Sequence, residues 1–132
     1  MSMKKAIFTF IFLLLTVIVS AQTETAGSAA KQYLCILTLS EKYKDENNWD
    51  AETSRVVGLH FNRLKKNTEE GKVTLVGRTI YPEDDPNMFG MVIFYAANDD
   101  EANKFIQEDP AVQNNIMLAK VHPLNVILKS SK

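Results

Sequence analysis

A single cysteine, Cys35, leaves no partner for an internal disulfide, so the fold must be held by its core or by a partner subunit. Only two histidines are present, His60 and His122, 62 positions apart and with no cysteine cluster beside either. The acidic run Glu83-Asp84-Asp85 lacks the ligand spacing of a calcium loop, so no metal site is indicated. No basic cluster is longer than Lys65-Lys66, and 15 Lys and Arg face 16 Asp and Glu. Nucleic-acid phosphates need clustered cations, so nucleic acid is not an expected partner. There is also no Ser-centred nucleophile elbow and no phosphate-cradling glycine loop. What remains is a chain of 132 residues, 45% hydrophobic, which suits one small globular domain and neither a multidomain enzyme nor a disordered segment.

The first 21 residues have a different character. Lys4 and Lys5 precede an uncharged apolar run from Ala6 to Val19 that closes on Ser20 and Ala21. This is the pattern of a signal peptide cut near Ala21-Gln22, with Val19 and Ala21 at the small-residue positions before the cut. The run is shorter than the roughly 20 residues of a spanning helix, so no stable membrane insertion is expected after cleavage. No cysteine follows closely enough to carry a lipid, and the mature chain is expected to be exported, to the periplasm or outside the cell. Removing Lys4 and Lys5 takes the formal net charge from −1 to −3. Residues 22–31 are polar and small, a flexible leader, and residues 32–130 form the folded domain.

Tyr33 to Leu39 is apolar on both alternating faces, which predicts a strand covered on both sides. Glu41 to Glu52 is charged and is expected to be a loop running into the first turns of a helix, with Trp49 as its large apolar anchor. From Thr53 to Glu70, Val57, Phe61 and Leu64 recur at helical spacing, and Gly71 stands where a helix stops. Lys72 to Thr79 and Gly90 to Ala96 form a hairpin around a Pro- and Asp-rich loop. Asn98 to Glu101 has the form of a capping box opening a second helix, in which Ala102, Phe105 and Ile106 make the apolar stripe. Met117 to Val121, and a further piece over Val126 to Leu128, supply the last extended segment, with Pro123 marking an edge strand or a break.

The order β-α-β-β-α-β is that of an α+β, ferredoxin-like protomer, four antiparallel strands with both helices on one face. Met91, Ile93 and Tyr95 then point one way and Val92, Phe94 and Ala96 the other, yet two helices can cover only one face, so something else must cover the second. A second copy is the economical cover, and a homodimer is expected.

Placing the first helix at about 100° per residue with Val57 at zero puts His60 near 300°, on the buried arc. Asp109 lies three residues after Ile106 and four after Phe105, prolonging the second helix's apolar stripe, where a carboxylate needs a partner. If both helices share one sheet face, the two side chains can meet. A carboxylate on one ring nitrogen fixes the tautomer and leaves the other nitrogen to move protons as general acid or base. The competing reading is that Asp109 caps backbone amides near Pro110 and His60 is a packed core imidazole. Arg78, after Gly77 at the end of the second strand, is placed to orient an anionic substrate, although such an arginine is commonly just solvated. His122, beside Pro123, suits a surface or edge position.

The segments His60-Phe61-Asn62-Arg63-Leu64, Gly71-Lys72-Val73, Leu75-Val76-Gly77, Asp100-Glu101-Ala102 and Asp109-Pro110-Ala111-Val112, in this order, resemble the YCII-related family from Tyr33 to about Leu128. The resemblance implies a ferredoxin-like protomer in a dimeric α/β barrel, with an active-site His and Asp that fall on His60 and Asp109. One characterised type resembles a dehydrochlorinase of chlorinated hydroxyhydroquinones, and related barrels include muconolactone isomerases and monooxygenases. The chain departs from the usual pattern in its signal peptide, in Arg78 where many members have Pro or a small residue, and in the insert-like Glu41 to Glu52.

Three functions follow as expectations. The first is an exported homodimeric lyase or isomerase, dehydrochlorinase-like, acting on a small phenolic or lactone-type substrate through His60 and Asp109, with Arg78 binding substrate and no cofactor or metal required. The second is a non-catalytic small-molecule-binding dimeric module. The third is a dimer in which the His-Asp pair is purely structural.

Overall fold

The computed structural model describes residues 29–132; the signal peptide expected over residues 1–21 and all but the end of the expected leader lie outside the described residues. Four strands, β1 (Lys31–Leu39), β2 (Val73–Arg78), β3 (Gly90–Ala96) and β4 (Met117–Leu124), form one antiparallel sheet in the order β2-β3-β1-β4. Helices α1 (Ala51–Glu69) and α2 (Asp99–Gln107) and the one-turn helix α3 (Pro110–Gln113) complete the fold. This is the expected α+β, ferredoxin-like architecture.

Alternation along the strands decides which residues enter the core. Tyr33, Cys35 and Leu37 of β1 and Val92, Phe94 and Ala96 of β3 are buried on the helix side, against Leu64 of α1 and Ala102, Phe105 and Ile106 of α2. Phe94 lies between two rings, its centroid 5.9 Å from Tyr33 and 4.9 Å from Phe105. On the other face Leu34, Ile36, Met91, Ile93 and Tyr95 are only half-buried, and Leu75 and Leu118 are exposed. Pro123 lies in β4, an edge strand, where its missing N–H costs no pairing on the solvent side. Strand pairing ends at Leu124, so the further extended piece expected over Val126 to Leu128 does not form a strand, and these residues are exposed.

The segment before α1 is more ordered than a loop. Two short 3-10 turns, Glu41–Lys44 and Glu46–Asn48, are tied together by the Trp49 indole, whose Nε1 donates to the Tyr43 carbonyl at 2.8 Å. Asp50 then caps α1, its carboxylate accepting from the Thr53 amide at 2.8 Å and the Thr53 hydroxyl at 2.9 Å. The buried stripe of α1 is Thr53, Val56, His60 and Leu64, so the expected phase is corrected: Val57 is half-buried and Phe61 is 63% exposed. At 100° per residue this rotates the buried arc by roughly 60° and centres it near His60. Thr53 can enter the arc because Asp50 takes its hydroxyl.

Asn98 caps α2 by accepting from the Glu101 amide at 2.9 Å, as expected. Glu101 does not reach back; its carboxylate turns to Lys72 Nζ, 3.4 Å away. Among the described residues no helix is long and apolar enough to cross a membrane.

Two glycines on α1 and its exit should respond to alanine with opposite signs. Gly58 is exposed within the helix, with nothing within 4 Å of an added Cβ, so Gly58→Ala should raise stability by about 0.5–1 kcal/mol. Gly71 ends the helix at φ +79°, where a side chain is strained, so Gly71→Ala should lower it by about 1 kcal/mol. Urea unfolding of both variants checks the pair.

Candidate active site

Asp109 occupies a break between helices. Pro110 has no N–H to continue α2, which ends at Gln107, and its fixed φ suits the first position of a new helix. Asp109 is therefore the N-cap of α3, its Oδ1 accepting from the Ala111 amide at 2.9 Å. The expectation that it prolongs the α2 stripe is corrected on this point: the chain has already left the helix. The carboxylate is still directed inward and is 2% exposed.

From that position it meets α1. His60 Nδ1 lies 2.8 Å from both Asp109 Oδ1 and Oδ2, across 49 residues of sequence. An ionised carboxylate can only accept, so Nδ1 carries the proton and donates, and in the neutral ring Nε2 keeps its lone pair. The two alternatives weighed from sequence thus coexist, since one carboxylate caps α3 and holds the imidazole. Among the described residues no side chain or backbone group hydrogen-bonds Nε2.

His60 lines a cleft of about 330 Å³ between α1 and one end of the sheet. Its walls come from the end of β1, the start of β3, the end of β2 and α1, and are mostly apolar. Met88, Met91 and Met117 all line it, and they are the only methionines after Met3. Such thioether walls adapt to ligand shape and make favourable contacts with aromatic rings. His60 and Arg78 are the cleft's only ionisable side chains. Arg78 is about half exposed, and its Nη2 donates to Glu83 at 3.2 Å. The structure thus places all three expected site residues around one cleft: His60 in its wall, Asp109 behind the imidazole, Arg78 at its margin. His122 is exposed on β4, opposite Leu34, and does not line the cleft.

One neighbour was not singled out by helix phase. Arg63, one turn after His60, brings Nη1 to 3.7 Å from Asp109 Oδ2. Its Nη2 donates to the Phe105 carbonyl at 2.6 Å, and its guanidinium lies over the Phe105 ring, 4.4 Å from the centroid. The usable signal was its place at i+3 from His60, because a cation there can reach whatever the imidazole reaches.

A separate hollow, lined by Glu41, Lys44, Asp45, Glu46, Glu83 and Asp84, is linked to the cleft margin through the Arg78–Glu83 pair. Among the described residues no group of three or more His, Cys, Asp or Glu is arranged to hold a metal ion.

Cys35 lies in the core beneath the site. Burial, reinforced by the negative charge of Asp109, pushes its thiol up to about 12 from the ordinary 9.0. The native protein should therefore resist a thiol reagent at pH 8 and react only on unfolding. The sign follows: the raised value adds stability that is full below pH 9 and is lost as pH rises toward 12. Alkaline denaturation of Cys35→Ala, compared with the parent, should lack that part of the slope.

The family model described as the YCII-related domain matches residues 32–124, spanning all four strands and all three helices. No curated protein matches the chain. With that match over most of its length, the chain belongs to the YCII-related domain family.

Proposed function

We propose that this protein is an exported, homodimeric lyase or isomerase that moves a proton with His60 on a small phenolic or lactone-type molecule bound in the methionine-lined cleft. The observation that carries this reading is the asymmetry of His60, with one ring nitrogen bonded to a buried carboxylate and the ring forming part of an apolar cleft wall. Nε2 removes a proton from a hydroxyl or an acidified carbon. The electron pair of the broken bond moves into the ring or carbonyl of the substrate. In a lyase it expels a leaving group such as chloride with its electrons, and in an isomerase the proton returns at another carbon. Asp109 stabilises the imidazolium formed in between. The apolar walls limit water around the reacting atoms, and Arg78 attracts the anionic end of the substrate.

Export rests on Lys4, Lys5 and the apolar run to Val19. The dimer rests on the open sheet face, where Leu34, Ile36, Met91, Ile93 and Tyr95 are only half-covered and Leu75 and Leu118 are exposed. A two-fold copy buries such a face against itself.

A screen of phenolic and lactone substrates should find turnover that His60→Ala reduces at least about 100-fold. Asp109→Asn should do the same while leaving circular dichroism unchanged, because its amide can donate to Nδ1 and so favours the wrong tautomer. Full turnover in either folded variant would remove the assigned roles. Ligand binding by the parent without any turnover, and equal affinity in both variants, would establish the binding-module reading instead. Light scattering of the mature protein at micromolar concentration should give twice the monomer mass, and a monomer there would overturn the dimer.

A further inference from the structure

Arg63 has the one buried side-chain nitrogen or oxygen among the described residues that lacks a hydrogen-bond partner, its Nη1. A buried guanidinium N–H left unpaired is costly, and it is retained here beside a buried carboxylate. The rest of the side chain is firmly fixed. Nη2 is held by the Phe105 carbonyl near the end of α2, the guanidinium is stacked on the Phe105 ring, and the side chain is 20% exposed. Nη1 is thereby held 3.7 Å from Asp109 Oδ2, close enough for strong attraction and too far to displace His60, which is 2.8 Å from the same oxygen.

We propose that Arg63 is a positioning residue that shares the Asp109 carboxylate with His60, fixing its angle and tempering its hold on the imidazole. This rests on the proton-transfer reading given above. A carboxylate alone behind an imidazole favours the imidazolium, so less of the ring is in the free-base form that can accept a proton from a substrate. A fixed second cation offsets part of the carboxylate charge and so weakens its preference for the imidazolium.

The charged groups around this set come from every neighbouring element. Glu108, 4.0 Å from Arg63 Nη2, draws on the outer side of the guanidinium and is itself half exposed. Lys72 of the turn before β2 sits over the same Phe105 ring at 4.8 Å but is directed toward Glu101. Cys35 of β1 stays a neutral thiol, and Arg78 lies at the cleft margin, paired with Glu83. Among the described residues Arg63 is thus the permanently charged cation paired with Asp109.

The test is the titration of the His60 ring by NMR in full-length mature protein, with His122→Gln used for assignment. Arg63→Met keeps an apolar stem over Phe105 and removes the charge. In it the ring should take its second proton at a higher pH than in the parent, and Arg63→Lys should move the curve back toward the parent. Arg63→Gln can still donate to the Phe105 carbonyl and should repeat the methionine result if that variant does not fold. A parental curve in a folded, uncharged variant, or a lysine curve displaced as far as the methionine one, would overturn the proposal. The titration needs no substrate, so it can succeed or fail independently of the proposed reaction. Once a substrate is in hand, Arg63→Met should lower kcat more than it changes KM, with the pH profile displaced in the same direction.

Discussion

The buried Asp109 carboxylate is the group around which the other parts of the site are arranged. A charge 2% exposed in a small domain is tolerated only if several donors reach it. Here the Ala111 amide of α3 and the His60 ring of α1 donate to it, and the Arg63 guanidinium, one turn further along α1, adds a positive charge 3.7 Å away. The two helices are consequently pinned to each other by one side chain. The break at Pro110 makes this possible, because a carboxylate at that point of a continuous helix would have no free amide to accept from. Local backbone chemistry and long-range side-chain chemistry are satisfied by the same two oxygens.

The position of the imidazole follows from that arrangement. Thr53, Val56 and Leu64 share its face of α1 and bury it, while Val57 and Phe61 on the adjoining face line the cleft. His60 therefore stands at the boundary between core and cleft, with its Nδ1 held by Asp109. A residue placed farther into the core would be inert, and one farther out would be solvated and free to turn. The methionines of the β2–β3 loop, β3 and β4 complete the apolar surround.

Much of this was legible in the sequence, and the unread parts have definite physical causes. The bounds of β3, the hairpin, the Asn98 cap, the edge position of Pro123 and the inward placement of His60 all follow from alternation, turn residues and helical period. Helix phase was misjudged by weighting Phe61, a large apolar side chain that serves the cleft and not the core. Thr53 was missed because its burial depends on a hydroxyl bond to Asp50 that hydrophobic periodicity does not register. Helical spacing alone points Asp109 inward, but α2 ends at Gln107 and the inward direction comes from the cap of α3 instead. Arg63 carried no apolar signal at all, and its importance emerges only when Phe105 and Asp109 are seen in space.

The sheet separates two demands that would otherwise compete for the same residues. Its helix side holds the core and, at one end, the cleft, so the polar groups of the site are supported by the best-packed part of the molecule. Its other side is free of that burden. There Leu34, Ile36 and Ile93 on the central strands are flanked by Leu75 on β2, whereas β4 turns Lys120 and His122 outward beside Leu118. The apolar area is therefore centred on β1 and β3 and fades into polar residues at the β4 edge. A second copy seated on that centre would cover the back of β1 and β3, the strands whose ends form the cleft floor. In the proposed dimer that cover would stiffen the strands behind the site, an added support in a small domain whose cysteine is unpaired.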